Sequence, residues 1–273
     1  MDKYDFKNIS FVIHIRIDIP ERLLNLETVI DTYNHYCDNV EFIIINDDTV
    51  PDKKLKPLCN KYKDTAKFLF LENDGTYMRP LSFNRGFCNT DRPLMIAGDT
   101  DVLVHPKYII AAADLITKDG YHHAYPYNGM FIQINEHIRD SFKSSYDFDS
   151  LLPLKPSQHN RYPYYKTDDI LVAHCASHGG CIMYESKMYR DMKGYNPAFK
   201  GWGYEDDEIN CRVSRLGYKT ARVYDDDAIA WHLPHRNTVR DQHPFYENNK
   251  LLFEQTRSFT EEQLREYIKT WEL

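Results

Sequence analysis

The chain has 273 residues, 42% of them hydrophobic and 27% charged, enough for one large domain with a substantial core and unlike a disordered, collagenous or membrane-embedded sequence. Its 34 lysines and arginines against 41 aspartates and glutamates leave a net charge of -7, which gives no global pull on nucleic acid or anionic lipid; any phosphate must be held locally, by a metal or a few placed arginines. No run approaches the roughly 18 apolar residues of a membrane helix, the polar opening lacks the apolar stretch of a secretory signal, and six cysteines occur without a C-x-x-C pair, so the expectation is a reduced, cytoplasmic protein.

Ile9 to Ile17 is a nearly continuous apolar run that predicts a strand, and Leu23, Leu26, Ile30 and Tyr33 beyond Pro20 share one helical face. Glu41 to Ile45 predicts a second buried strand closing on Asn46, Asp47 and Asp48, Asp52 to Lys63 a helix, and Lys67 to Leu71 a third strand. Arg79 to Cys88 predicts another helix and Pro93 to Ala97 a fourth strand. Solid apolar strands alternating with helices predict an α/β fold with a parallel sheet covered on both faces, whose ligands sit beyond the carboxyl ends of the strands. His14 and Arg16, Asp48, and Gly98-Asp99-Thr100-Asp101 all fall at such ends. Two aspartates one residue apart after a buried strand suit a hard divalent cation, magnesium or manganese, able to bridge to a diphosphate; a solvated acidic turn accounts for them equally.

Further along, Met130 to Ile134 predicts a strand, and Ser141 to Thr167 a long surface excursion of the kind that serves as a lid or binding segment. His174, Cys175, His178 and Cys181 lack the spacing of structural zinc modules, whereas Gly179 and Gly180 permit close approach of backbone to a ligand or form a tight bend before a strand at Cys181 to Tyr184. The acidic run Glu205-Asp206-Asp207-Glu208 opens a helix whose stripe is Ile209, Val213 and Leu216. Carboxylates there complement the helix dipole in any case; by the helical angle Glu205 and Asp206 flank the stripe and Asp207 and Glu208 point away. An inward carboxylate is a candidate general base, and Trp202 between two glycines a candidate sugar platform. Ala228 to His235 predicts a short strand ending in His232 and His235, two imidazoles that could complete a metal site with the aspartate pair. Near the C-terminus, Thr260 to Gln263 form a capping box, and Leu264, Tyr267, Ile268 and Trp271 an apolar face that docks on the main domain or, less consistently with its lack of basic flanks, on a partner or membrane surface.

The order of these features resembles the glycosyltransferases of the GT-A fold, in the branch of β-1,4-galactosyltransferases and chondroitin-polymerase-type enzymes. The likeness rests on S-H-G-G at 177–180, on G-Y-N-P-A-F-K-G-W-G-Y-E-D-D-E-I-N-C-R at 194–212, on D-T-D at 99–101, and on H-I-R at 14–16 and M-R-P-L-S-F-N-R-G at 78–86. It implies a single GT-A domain over 1–273: a Rossmann-like nucleotide-binding sheet at about 1–105, a smaller acceptor-binding and catalytic part at about 106–240, and C-terminal helices at about 241–273. It implies donor binding by His14, Arg16, Asp48, Arg79, Asp99 and Asp101, with Asp48 reading the base and Asp99 supporting ribose and metal. Mn2+ or Mg2+ would be held by Asp101, His232 and His235, His232 standing where β-1,4-galactosyltransferases have a methionine. Gly179, Gly180, Trp202 and Glu205 would face the acceptor, and Asp206 would be the base of an inverting transfer from a nucleoside-diphosphate sugar, with uridine diphosphate the expected carrier. Tyr204 stands where relatives often have a small glycine. The acceptor would be a glycan, glycolipid or glycoprotein. A catalytically silent sugar-binding protein on the same fold is the alternative, separated by metal-dependent release of nucleoside diphosphate. A nucleotidyltransferase would need a glycine- and lysine-rich triphosphate loop after the first strand, and residues 16–22 contain no glycine.

Overall fold

The computed structural model describes residues 3–236 and 243–271. The expected boundary near residue 240 lies outside them. In chain order the elements are β1 (Ile9–Ile15), α1 (Pro20–Tyr36), β2 (Glu41–Asp48), α2 (Lys56–Lys61), β3 (Ala66–Glu72), α3 (Arg79–Phe87), β4 (Leu94–Gly98), β5 (Val102–Leu103), α4 (Pro106–Thr117), β6 (His123–Tyr125), β7 (Phe131–Ile134), α5 (Glu136–Ser145), β8 (Ile170–His174), β9 (Cys181–Glu185), α6 (Ser186–Asp191), α7 (Glu205–Arg215), β10 (Thr220–Arg222), β11 (Ala230–His232), α8 (Tyr246–Ser258) and α9 (Glu261–Lys269).

A seven-stranded sheet runs in the order β10-β6-β9-β4-β1-β2-β3. Its half from β3 to β4 is parallel, as the alternation of strand and helix predicts. The other half is not: β9 lies antiparallel to both β4 and β6, so the sheet is mixed and draws strands from both sides of residue 105. β9 is short and apolar like its neighbours, and nothing in its composition encodes direction. Every residue of β1 is buried, and α3 lies so close to it that a Cβ on Gly86 would stand 2.2 Å from Val12 Cγ1. A second sheet of four short strands, β8-β7-β11-β5, stands beside the first; its register sets His232 opposite Val102, the residue after Asp101.

Three local expectations need correction. The segment from Ser141 is no continuous excursion, because α5, capped by the Asn135 side chain, reaches Ser145, and three single 3-10 turns follow up to Asn160. The helix expected over Asp52 to Lys63 is a 3-10 turn, Lys53–Leu55, and the short α2. The strand expected over Ala228 to His235 pairs only at Ala230–His232. At the C-terminus the capping box of Thr260 and Gln263 forms, and Leu264, Ile268 and Trp271 are buried by the chain itself, with Arg212 over the Trp271 ring at 4.7 Å. No described helix is long and apolar enough to cross a membrane.

Candidate active site

The ends of β1, β4, β8 and β11 and the mouth of α7 open on one cleft of about 1040 Å³, a size that fits a nucleotide-sized ligand with room beside it. On one part of its wall stand Asp101, His232 and His235. Leu233 N–H donates to Asp101 O at 2.7 Å, which brings the turn after β11 against the turn after β4. His232 Nε2 is 3.5 Å from Asp101 Oδ1 and His235 Nε2 is 3.4 Å from Oδ2. One donor atom from each of the three lies within 4.8 Å of the others, and among the described residues no other group of histidine, cysteine and carboxylate side chains is so arranged. The contact of His235 Nδ1 with Arg236 O at 2.8 Å requires a proton on Nδ1, because a carbonyl only accepts, which turns Nε2 toward Asp101 as the atom available to a metal. Burial holds His232 below the usual histidine range in spite of the attraction of Asp101. One carboxylate with two imidazoles fits a divalent first-row ion such as Mn2+; the all-oxygen preference of Mg2+ is met less well. The guanidinium of Arg22, from the first turn of α1, donates to Asp101 Oδ2 at 2.9 Å.

The second group is built around Arg79. This arginine is 5% exposed and begins α3; its Nη2 donates to Asp99 Oδ1 at 2.9 Å, and its Nη1 reaches Glu205 Oε1 at 3.1 Å and Asp206 Oδ1 at 3.0 Å. The expected donor-binding arginine thus holds together three of the expected site carboxylates. Burial pushes the Glu205 carboxyl up to about 7, Arg79 pulling the other way and Asp206 adding to the rise. Asp206 is also raised, by burial first, against the pull of Arg79. Burial alone would raise Asp99 as well, but the charge and hydrogen bonds of Arg79 outweigh it and leave Asp99 below the usual range.

The two oxygens of Asp206 differ. Oδ1 accepts from Arg79 and from Tyr195 O–H at 3.1 Å, and Oδ2 faces Gly179, where a Cβ would stand 2.6 Å away. Among the described residues Oδ2 makes no hydrogen bond. Gly180 has φ +81, a left-handed conformation, and a Cβ there would meet the Phe131 ring at 2.6 Å; the glycine pair is needed for conformation at one position and for space at both. Trp202 is 40% exposed, lines the cleft and stacks on Tyr246 with 5.8 Å between ring centroids and 11° between planes.

Other expected residues sit differently. Arg16 lines the cleft, but its Nε donates to Asp47 O at 2.9 Å and its Nη1 to Gly75 O at 2.7 Å, so it fastens the loop after β3 to the end of β2. His14 pairs with the fully buried Asp47 at 3.0 Å and presents its ring to the cleft. Asp48 does not line the cleft; its Oδ1 accepts from Thr49 N–H at 2.7 Å. Asp47, at the end of β2, is the hub, also accepting from Met78 N–H at 2.7 Å. Asp207 is exposed as expected, but Glu208 is buried and bonded to Arg212 Nε at 2.8 Å. Residues 205, 208, 209 and 212 recur at helical spacing, so Glu208 shares the inward face and the arginine one turn on neutralises it. Arg22, Tyr195, Tyr246 and His243 also contribute to the site and were not singled out from the sequence. Arg22 stands in the first turn after the carboxyl end of β1, and Tyr195 in the G-Y-N start of the 194–212 motif, positions that were the available signals.

The model of the N-terminal domain of galactosyltransferase matches residues 173–236, the segment that holds the glycine pair, Trp202, Glu205, Asp206 and both histidines. A search of curated proteins found no match. Among solved structures, the mannosyltransferase PcManGT from Pyrobaculum calidifontis in complex with GDP-Man and Mn2+ is similar with a TM-score of 0.52 and 12% identity over 84% of this chain and 58% of that one. GalNAc-T7 with UDP, GalNAc and Mn2+ is similar with a TM-score of 0.60 and 17% identity over 91% of this chain and 47% of that one. The catalytic domain of Drosophila β1,4-galactosyltransferase 7 in complex with xylobiose aligns over 94% of this chain and 82% of that one, with 15% identity and a TM-score of 0.46. The chain thus spans about half the length of the first two. The chain therefore shares the fold of these transferases, and its segment 173–236 is similar to the galactosyltransferase domain.

Proposed function

We propose that the chain transfers a sugar from a nucleoside-diphosphate donor to an acceptor hydroxyl with inversion at the anomeric carbon, using a divalent ion and Asp206 as general base. The observation that carries this reading is that the Asp101, His232 and His235 cluster and the Glu205–Asp206 pair line one cleft. Bound by that cluster, the ion supplies positive charge to the diphosphate as negative charge gathers there.

The protein's own groups do the rest. Arg79 and Tyr195 hold Asp206 by Oδ1, which leaves Oδ2 to take the acceptor proton. As the acceptor oxygen bonds to the anomeric carbon, the bond from that carbon to the diphosphate breaks on the opposite face, and its electron pair leaves with the phosphate. Burial makes Asp206 a stronger base than a solvated aspartate, and the charge of Arg79 favours its ionised form. Glu205, beside it and titrating near neutrality, offers the acceptor a hydrogen-bonding carboxyl. Trp202 gives a pyranose ring a flat apolar face.

The test is release of nucleoside diphosphate from UDP- and GDP-sugars with and without Mn2+, in the presence of a panel of glycans, glycolipids and glycoproteins. Mn2+-dependent release stimulated by an acceptor, lost in Asp101→Asn, is the expected result. Tight binding of Mn2+ and nucleotide with no turnover on any donor would point instead to a silent sugar-binding protein.

A further inference from the structure

Arg22 touches the one carboxylate of the metal cluster. Its Nη1 donates to Asp101 Oδ2 at 2.9 Å, and its Nε lies 3.4 Å from Oδ1 of Asp18, four residues earlier and just before the helix begins. Both Arg22 and Asp18 line the cleft. Asp101 is 2% exposed, so water does little to screen its charge. The two imidazoles stand farther from it than Arg22 does, at 3.5 and 3.4 Å, and Asp99 is already bonded to Arg79. The guanidinium therefore cancels the charge of the carboxylate before any ion arrives.

A divalent cation entering this cluster alone must compete for Oδ2 and then sit beside a fixed positive charge. A diphosphate entering with it brings two or three negative charges that answer both the ion and the arginine. Asp18 keeps the guanidinium tethered at the cleft wall if its hold on Asp101 loosens. Building on the function proposed above, we infer that Arg22 makes the binding of the divalent ion and of the donor diphosphate mutually dependent: it opposes the ion alone and adds a charge-assisted contact when both are present. By linkage, the factor by which the ion tightens the nucleotide equals the factor by which the nucleotide tightens the ion.

The experiment measures Mn2+ binding by the spin-resonance signal of free Mn2+, without nucleotide, for the wild-type protein and for Arg22→Gln, Arg22→Met, Arg22→Lys and Asp101→Asn. Calorimetry then gives UDP and GDP affinity with and without Mn2+, and thermal melts confirm folding. Arg22→Gln should bind Mn2+ alone at least tenfold more tightly than wild type, and the factor by which Mn2+ tightens the nucleotide should fall at least tenfold. Arg22→Lys should keep most of the coupling, and Arg22→Met, which keeps the aliphatic stem, should repeat the Gln result and preserves the comparison if Gln misfolds. Mn2+ affinity within twofold of wild type in the uncharged variants, or an unchanged coupling factor, would overturn the inference while leaving the proposed function standing. Failure of the wild-type protein to bind Mn2+ even with UDP or GDP would overturn both.

Discussion

At the scale of single residues, Arg79 decides how the site behaves. One guanidinium faces Asp99, Glu205 and Asp206, and a buried charge that loses its partner is destabilising by several kcal/mol. Glu205 is where that balance shows as pH dependence. Its folded carboxyl is raised to about 7 against about 4.3 when unfolded, so the folded state binds the extra proton between these values. Stability contributed by the protonated group is present below about pH 4.3 and is lost as pH rises through 7. Glu205→Gln should therefore flatten the fall in melting temperature between pH 5 and pH 8, a comparison that scanning calorimetry of both proteins makes directly. Asp206→Asn should lower turnover by about 100-fold or more with the melting temperature within a few degrees of wild type, since general bases contribute about 10²- to 10⁴-fold; steady-state kinetics with a purified, folded variant settles the assignment. Gly179→Ala should also lower turnover, because its Cβ would meet Asp206 Oδ2 at 2.6 Å, and a crystal structure of the variant should show the carboxylate displaced.

At the scale of elements, legibility followed length. β1, α1 and α3 announce themselves by apolar runs and helical stripes, and their bounds fall within a few residues of expectation. β5, with two residues, and β10, with three, are too short for periodicity to register; partners distant in sequence make them strands. The same limit hid Arg22, whose bond to Asp101 spans 79 residues, whereas the spacing of D-T-D and of His232 and His235 was visible because each lies within one turn. Glu208 was misplaced for the opposite reason: a charged residue on an inward face is unexpected unless its arginine is seen. Arg212 donates to both Glu208 oxygens and to the carbonyls of Met192 and Gly194, joining α7 to the turn after α6. Arg212→Ala should destabilise the fold by about 3–5 kcal/mol by leaving Glu208 buried and unpaired, measurable by urea unfolding; Arg212→Ala with Glu208→Gln should recover part of the loss.

For the whole molecule, the proposed coupling of ion and nucleotide should show as a change in thermal stability. A ligand at a hundred times its dissociation constant adds about 2.7 kcal/mol, which for a domain of this size raises the melting temperature by about 5 °C or more. Mn2+ and UDP or GDP given together should produce such a rise, each alone much less, and a chelator should reverse it in a thermal-shift assay.

Trp231 and Trp271 are buried, whereas Trp202 is 40% exposed at the rim of the cleft. The molecule therefore carries its own optical probe: acrylamide should reach one indole readily and the other two poorly, so a change in quenchable emission reports events at that rim. Shielding of this fluorophore upon adding a saccharide would identify a ligand for that rim before any turnover has been measured, and without a label.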